Sequence, residues 1–459
     1  MRKITLLLLI ITFSTIEIGY SQDESGLKSS IYDGIQAGSY NPAALVGAIP
    51  AWQVNILNVH TNIGNDYLYV KKLKGIASNF SEEEYIGENL NGKSKTINAN
   101  MTIGLPSFYF TIKEKNVIGV SLNAHANTTI KDIEEDLVVN LYKNRDTLIN
   151  FLNNIDDERI TGAANAYGSI DLTFSRELFG RYNHKLAIGG TVSLLSPVFF
   201  AGFEGNNINY SVRDNGGNTE ASLNNSSFNL NVSDMFIDEN SSYKFKISGV
   251  SFNAGVEYLN RKNCDAPYYR FRTGISLRNW GFLKYNHSTQ SRSFQADGSY
   301  VNEDDLTDSD GTFSNFDDFM DSLGTYTIPT GTFSVATPAS LNFYGDFRIV
   351  KNLYIFGAVD LNPYSFKRGA AKASAFNEVQ AILRYENRIF GVYLPVGYNK
   401  YNGITSGAAF RIGFVSFGSK NLFSQFLRKQ FNGLDFSLNL GFGDMRKVSY
   451  VKESEAEEK

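Results

Sequence analysis

Several groups of residues in this chain have types and spacings that could do chemistry. His125 stands on a stretch of alternating polarity, and Ser169 and Asp171 stand two residues apart on a second such stretch. A His, a Ser and an Asp brought together could build an esterase, in which the imidazole takes the hydroxyl proton and the carboxylate orients the ring. No Gly-x-Ser-x-Gly elbow accompanies them, and a polar interior supplies such residues by default. Asp305, Asp308, Asp310 and Asp317 lie close together, with Gly311 among them. Oxygen-rich loops with a Gly at the sharp turn can bind calcium, but Leu306 stands where an EF-hand loop needs its first acid, so a solvated acidic loop is the competing reading. Arg270, Arg272 and Arg278 share one face with Ser276, and Arg348, Arg384 and Arg411 also fall at polar positions. Asp346, Glu378 and Asp435 are their candidate partners. Such a set either braces an interior with ion pairs or forms a charged constriction that selects anions. Cys264 is the single cysteine, so an intrachain disulfide and a cysteine-based metal site are both excluded.

The elements that carry these residues have a period of two. Ile118, Val120, Leu122, Ala124 and Ala126 alternate with Gly119, Ser121, Asn123, His125 and Asn127, and Leu434 to Phe442 repeats the pattern. Alternation puts the two sets on opposite faces of a strand. Long strands with one apolar and one polar face are what a transmembrane barrel needs, with lipid outside and a polar lumen inside. The pattern predicts about fourteen strands. Short reversals at 113–116, 351–352 and 386–388 alternate with long connections at 60–96, 128–160, 197–246 and 279–335. Bacterial barrels have short periplasmic turns and long extracellular loops, and an even strand number leaves both termini in the periplasm. Within 131–152, Ile133, Leu137, Val138, Leu141, Leu148 and Leu152 fall near helical spacing, which predicts a short helix inside a loop.

The ends and the composition agree with an exported barrel. Arg2 and Lys3 precede an apolar run from Ile4 to Phe13, and Gly19 and Ser21 supply small residues for cleavage before Gln22. Residues 1–21 therefore read as a signal peptide. Residues 22–50 form a Gly-, Ser- and Ala-rich segment without strand period, 51–443 the barrel, and 444–459 a charged periplasmic tail. No later run is apolar enough for a membrane helix. Aromatics reach 14%, with 35 Phe and 26 Tyr, which suits interfacial girdles. The net charge is −4, so nucleic-acid binding has no electrostatic basis.

Ser39-Tyr40-Asn41-Pro42-Ala43-Ala44-Leu45, just before the first strand, resembles the Asn-Pro-Ala segment of the long-chain fatty-acid transporter (FadL) superfamily, which includes the PorV-type barrels of type IX secretion. Arg411-Ile412-Gly413, Ser416-Phe417-Gly418-Ser419, Asp435-Phe436 and Trp280-Gly281-Phe282 look like those of an uncharacterised group of Bacteroidota outer-membrane barrels, defined as a domain of unknown function. The resemblance implies an all-β, antiparallel outer-membrane barrel with a short N-terminal plug that holds Asn41, Pro42 and Ala43. It implies a non-enzymatic transporter or channel for small hydrophobic compounds, without a cofactor. The alternative is a non-transporting, PorV-like barrel that scaffolds partner proteins in an envelope complex. The expected partners are outer-membrane lipid and either a hydrophobic ligand or envelope proteins.

Overall fold

The computed structural model describes residues 26–445 apart from 72–81, 114, 136–138, 140–154, 182, 217, 235–244, 262–267, 303–323, 364–376, 400–401 and 428–431. Fourteen antiparallel wall strands close into a barrel. They are β1 (Pro50–Asn65), β2 (Lys95–Gly104 and Ser107–Ile112), β3 (Asn116–Ile133), β4 (Ile155–Arg181), β5 (His184–Asn215), β6 (Gly249–Asn260) and β7 (Phe271–Asn286). The second half comprises β8 (Thr332–Ala336 and Ser340–Val350), β9 (Leu353–Leu361), β10 (Glu378–Glu386), β11 (Phe390–Asn399), β12 (Gly403–Ser406 and Ala408–Ile412), β13 (Val415–Ser419) and β14 (Gly433–Met445). Each strand pairs with its sequence neighbours, and β1 pairs with β14 from Pro50↔Met445 to Gly64↔Gly433 to close the sheet.

Alternation in the sequence becomes alternation in space. Along β10 and β11 buried and exposed residues succeed one another almost without a break. The exposed set is apolar: Ile118, Leu172, Phe174, Val192, Phe252, Ile275, Phe343, Ile355, Leu383, Val396 and Phe436 all point outward. A soluble protein rarely exposes so large an apolar surface, whereas a bilayer requires one. Closure removes the strand edges, so every wall strand finds ladder partners on both sides.

The strands are longer than the hydropathy pattern predicts. β4 has 27 residues and β5 has 32, and segments expected as loops (128–160, 197–246 and 279–335) are largely strand at their ends. Above the membrane both faces of a strand meet water, so the apolar alternation stops while the hydrogen-bond ladder continues. The short strands Asn218–Leu223, Ser227–Val232, Arg292–Ala296, Tyr300–Asn302 and Gly324–Thr327 extend the sheet there. Phe203 of β5 stacks on Phe228, and Phe228 meets Phe294 at a tilt, with centroids 5.8 and 5.9 Å apart. The helix expected over 131–152 is corrected at its start, because Lys131–Ile133 are the last residues of β3. Most of the remainder of that segment, and Asp305, Asp308, Asp310 and Asp317, lie outside the described residues, as do Cys264, the signal segment and the tail from 446. Tyr269, two residues before Phe271, turns inward and is fully buried, because it precedes β7 and escapes its pleat.

The lumen is filled from the N-terminal side. Leu27–Ser29 form one 3-10 turn, α1 spans Gly34–Tyr40, and Pro42–Val46 form a second 3-10 helix. Asp33 caps α1 by accepting from the Gln36 amide, and Asn41 caps the next turn by accepting from the Ala43 amide at 3.0 Å. Pro42 fits the first position of that turn because its missing N–H is an orphan donor there anyway. Asn-Pro-Ala is thus a cap followed by a helix start.

Candidate functional site

The wall makes room for this plug with small residues. A Cβ on Gly255 would overlap the Asn41 side chain, and one on Gly189 would lie 2.5 Å from the Ala43 nitrogen. Both glycines permit close approach. Asn41 Nδ2 then donates to the Val256 carbonyl and to the Tyr344 hydroxyl, both at 3.1 Å, while Ser175 Oγ donates to the Pro42 carbonyl at 2.6 Å. Alternation in the sequence marks these glycines as inward positions but says nothing of what they face.

Charged side chains pin the plug from below and from the sides. Asp346 Oδ2 accepts from Arg272 Nη2 and Arg384 Nη2, both at 2.9 Å, and from the Tyr269 hydroxyl. Arg272 also donates to the Ser29 carbonyl at 2.6 Å, so the cluster grips the plug backbone directly. Arg384 Nε lies 3.1 Å from Glu386 Oε1, and Glu386 accepts from Ser30 Oγ at 2.8 Å. Lys28 pairs with Asp360 at 3.3 Å, and the Tyr40 hydroxyl donates to the same carboxylate at 2.6 Å. Asp33 accepts from Gln53 and Asn439, each at 2.8 Å; burial pushes its carboxyl above the usual range against these bonds.

Not every charged residue singled out from sequence belongs to this cluster. Arg411 is buried, donates to the Gly413 carbonyl at 2.7 Å, lies over the Tyr32 ring of the plug and reaches Glu386 through the Tyr393 hydroxyl. Glu378 pairs with Lys420 at 3.0 Å. Asp435 sits 3.2 Å from His60 and accepts from the Lys420 amide. Arg278 is buried over the Tyr40 ring. Arg348 holds an inward position of β8, paired with buried Tyr354, and is half-buried over Tyr268, while Arg270 is exposed just before β7. Tyr269, Glu257, Glu386 and Lys28 were not singled out by their spacing; Lys28 lies in a segment with no periodicity to read.

His125 and Ser169 do meet, with Nε2 2.9 Å from Oγ, and Asp171 stands on the same inner face. Asp171 accepts from Asn123 at 2.7 Å and makes no hydrogen bond to His125, so the relay of a hydrolase is not assembled. No cluster of three metal-ligating side chains occurs among the described residues.

Above α1 a cavity of about 130 Å³ remains open. Its floor is Ile35, Gly38, Ser39 and Leu45 of the plug, and its walls include Asn58, Ser121, Asn123, His125, Asp171 and Thr173. Outside the barrel an apolar groove of about 620 Å³ runs over Ile118, Leu172, Phe174, Gly190, Val192 and Phe252. Both spaces touch Gly119, Val120, Thr173, Thr191 and Asn253, so only the wall of β3–β6 separates them. The adjoining wall is irregular. β2 breaks at Leu105-Pro106, opposite Ile56 and Leu57 of β1, and β1 shifts register against β14 at the same place. Pro106 cannot donate to the ladder.

Comparisons with known proteins were made on this fold. A homologue of FadL from Pseudomonas aeruginosa is 10% identical over 93% of this chain and 99% of that one, with a TM-score of 0.46. The toluene transporter TodX of Pseudomonas putida is 10% identical over 93% and 96%, at 0.44. The toluene transporter TbuX of Ralstonia pickettii is 9% identical over 90% and 94%, at 0.40. None of the curated proteins matches. The model of a family of unknown function, DUF5723, matches residues 42–419, most of the chain, and the chain belongs to that family.

Proposed function

We propose that this chain is an outer-membrane channel for small, mainly apolar compounds, with both mature ends in the periplasm. The observation that carries the reading is the thin wall of β3–β6, which has an apolar groove on its lipid side and a cavity above the plug on its luminal side. The short turns share one end of the barrel with Pro50 and Met445, as expected of a periplasmic end. The plug blocks a straight aqueous path, so a compound that passes does so between the cavity and the wall. Non-polar lining on the groove and a few convergent polar groups in the cavity are the usual make-up of a small-molecule site. Among the described residues His125, Ser169 and Asp171 do not form a relay, which leaves an enzymatic role without support from that set.

The test is uptake of radiolabelled toluene at low concentration by cells whose own hydrocarbon channels are deleted. Gly190→Trp fills the groove, since a Cβ there meets nothing nearer than the Asn253 carbonyl at 3.7 Å. Thr173→Trp fills the cavity. Expression of the unaltered protein should raise uptake, and either substitution should return it to background while the folded barrel persists. Uptake that never exceeds the empty-vector control would discard the channel reading and favour the scaffold alternative.

A further inference from the structure

The cavity contains one carboxylate that the barrel leaves without a counter-ion. Asp171 projects from the middle of β4. Its Oδ2 accepts from Asn123 Nδ2 at 2.7 Å, while its Oδ1 is shielded from water and has no hydrogen-bond partner. The hydroxyls of Ser169 and Ser193 are its other polar neighbours. Among the described residues Asp171 forms no ion pair, unlike Asp346, Asp360, Glu378 and Glu386, each of which has a buried cation. The other charged or titratable groups on the cavity are His60, Tyr109, His125 and Arg278. His60 is against Asp435, His125 against Ser169, and Arg278 lies over Tyr40, three strands round the wall from Asp171.

Asp171 is half-buried, on the inner face of β4, so a carboxylate without a counter-ion is presented to the cavity. Asp171 also lines a cavity large enough for a small organic molecule, beside Ile35 and Leu45 of the plug and Tyr109 of β2. We infer that the cavity binds small amphiphilic amines, the protonated amine on Asp171 and the apolar part against the plug and β2. This rests on the channel reading and names its preferred substrate class. The amine supplies the missing charge, and a charge-assisted hydrogen bond to a carboxylate is among the stronger ones available. The apolar remainder of the ligand suits a compound that enters from the groove.

The experiment is calorimetric titration of the full-length protein in detergent with 2-phenylethylamine and with 2-phenylethanol, which differ only in the polar group. Unaltered protein should bind the amine about tenfold or more tightly than the alcohol. Asp171→Asn keeps the size and removes the charge; it should abolish that preference. Asp171→Glu should retain part of it. Heat-modifiable migration on gels verifies that each variant is folded. Equal affinity for the two compounds, no binding of either, or an amine preference that survives in Asp171→Asn would overturn the inference. Toluene uptake separates the two claims. If toluene passes but the amine is not preferred, the substrate class is wrong and the channel stands. If toluene does not pass, the channel reading fails first.

Discussion

Asp346→Asn is the sharpest perturbation of the plug anchor. In the unaltered protein one carboxylate oxygen serves Arg272 and Arg384 at 2.9 Å each, and all three side chains are 2% exposed or less. The amide of Asn keeps an acceptor but no charge. Arg384 retains Glu386 at 3.1 Å, while Arg272 keeps only Glu257 at 3.9 Å and the Ser29 carbonyl. Removing one partner of a buried ion pair costs about 3–5 kcal/mol, because the remaining charge stays buried. Retention of Glu386 places the expected loss near the lower end, about 3 kcal/mol. The control is Arg213→Ala, which breaks an ion pair with Glu220 of 2.6 Å in which the arginine is half exposed. Exposed pairs are worth about 0–1 kcal/mol. The assay is urea unfolding in detergent, followed by tryptophan fluorescence. The double variant Asp346→Asn/Arg272→Met should lose less than the sum of the two single changes. Equal losses for Asp346→Asn and Arg213→Ala would refute the claim that this cluster holds the plug.

Three further outcomes are expected. Val120→Arg places a charge on the lipid face at about 2–4 kcal/mol near the midplane, so it should reduce the yield of heat-modifiable barrel more than Ser121→Arg; the reverse order would show a register slipped by one residue. Gly255→Val should displace Asn41 and raise single-channel conductance in planar bilayers, and unchanged conductance in a folded variant would show that the plug does not depend on that contact. Outside the wall, Glu135 accepts from Lys95 and from the Asn91 amide, each at 2.6 Å, which hold its carboxyl at about 2, below the usual range. A depressed carboxyl contributes stability that is present above its unfolded value and lost as pH falls through the folded one. The Asn91 and Gly92 amide resonances should therefore shift with a midpoint near 2; a midpoint at the ordinary carboxylate value would contradict the clasp.

How far the sequence could be read depended on where water is. Inside the bilayer one face of each strand meets lipid, so Ile118, Val120 and Leu122 announce their strand and its facing, and the number of wall strands follows. Above the bilayer Asn206 to Asn215 have no such contrast, and the upper half of β5 is invisible to a polarity pattern although its ladder continues through two bulges. Arg272, Arg384 and Asp346 are legible as inward charges because a polar residue on an alternating strand must face the lumen. Which acid serves which arginine is not, since that depends on how strands far apart in sequence face each other across the plug. The cavity is further out of reach, because it is what the plug leaves unfilled.

The claim that most needs a direct observation is that the cavity above α1 and the groove over β3–β6 form one passage. Crystals of the full-length protein soaked in 4-bromotoluene would locate the compound by the anomalous signal of bromine. The account predicts bromine in the cavity bounded by Ile35, Ser121 and Thr173, in the groove bounded by Leu172, Gly190 and Phe252, or in both. Bromine found only at other sites on the apolar belt, with the cavity and groove free of it at saturating concentration, would contradict it.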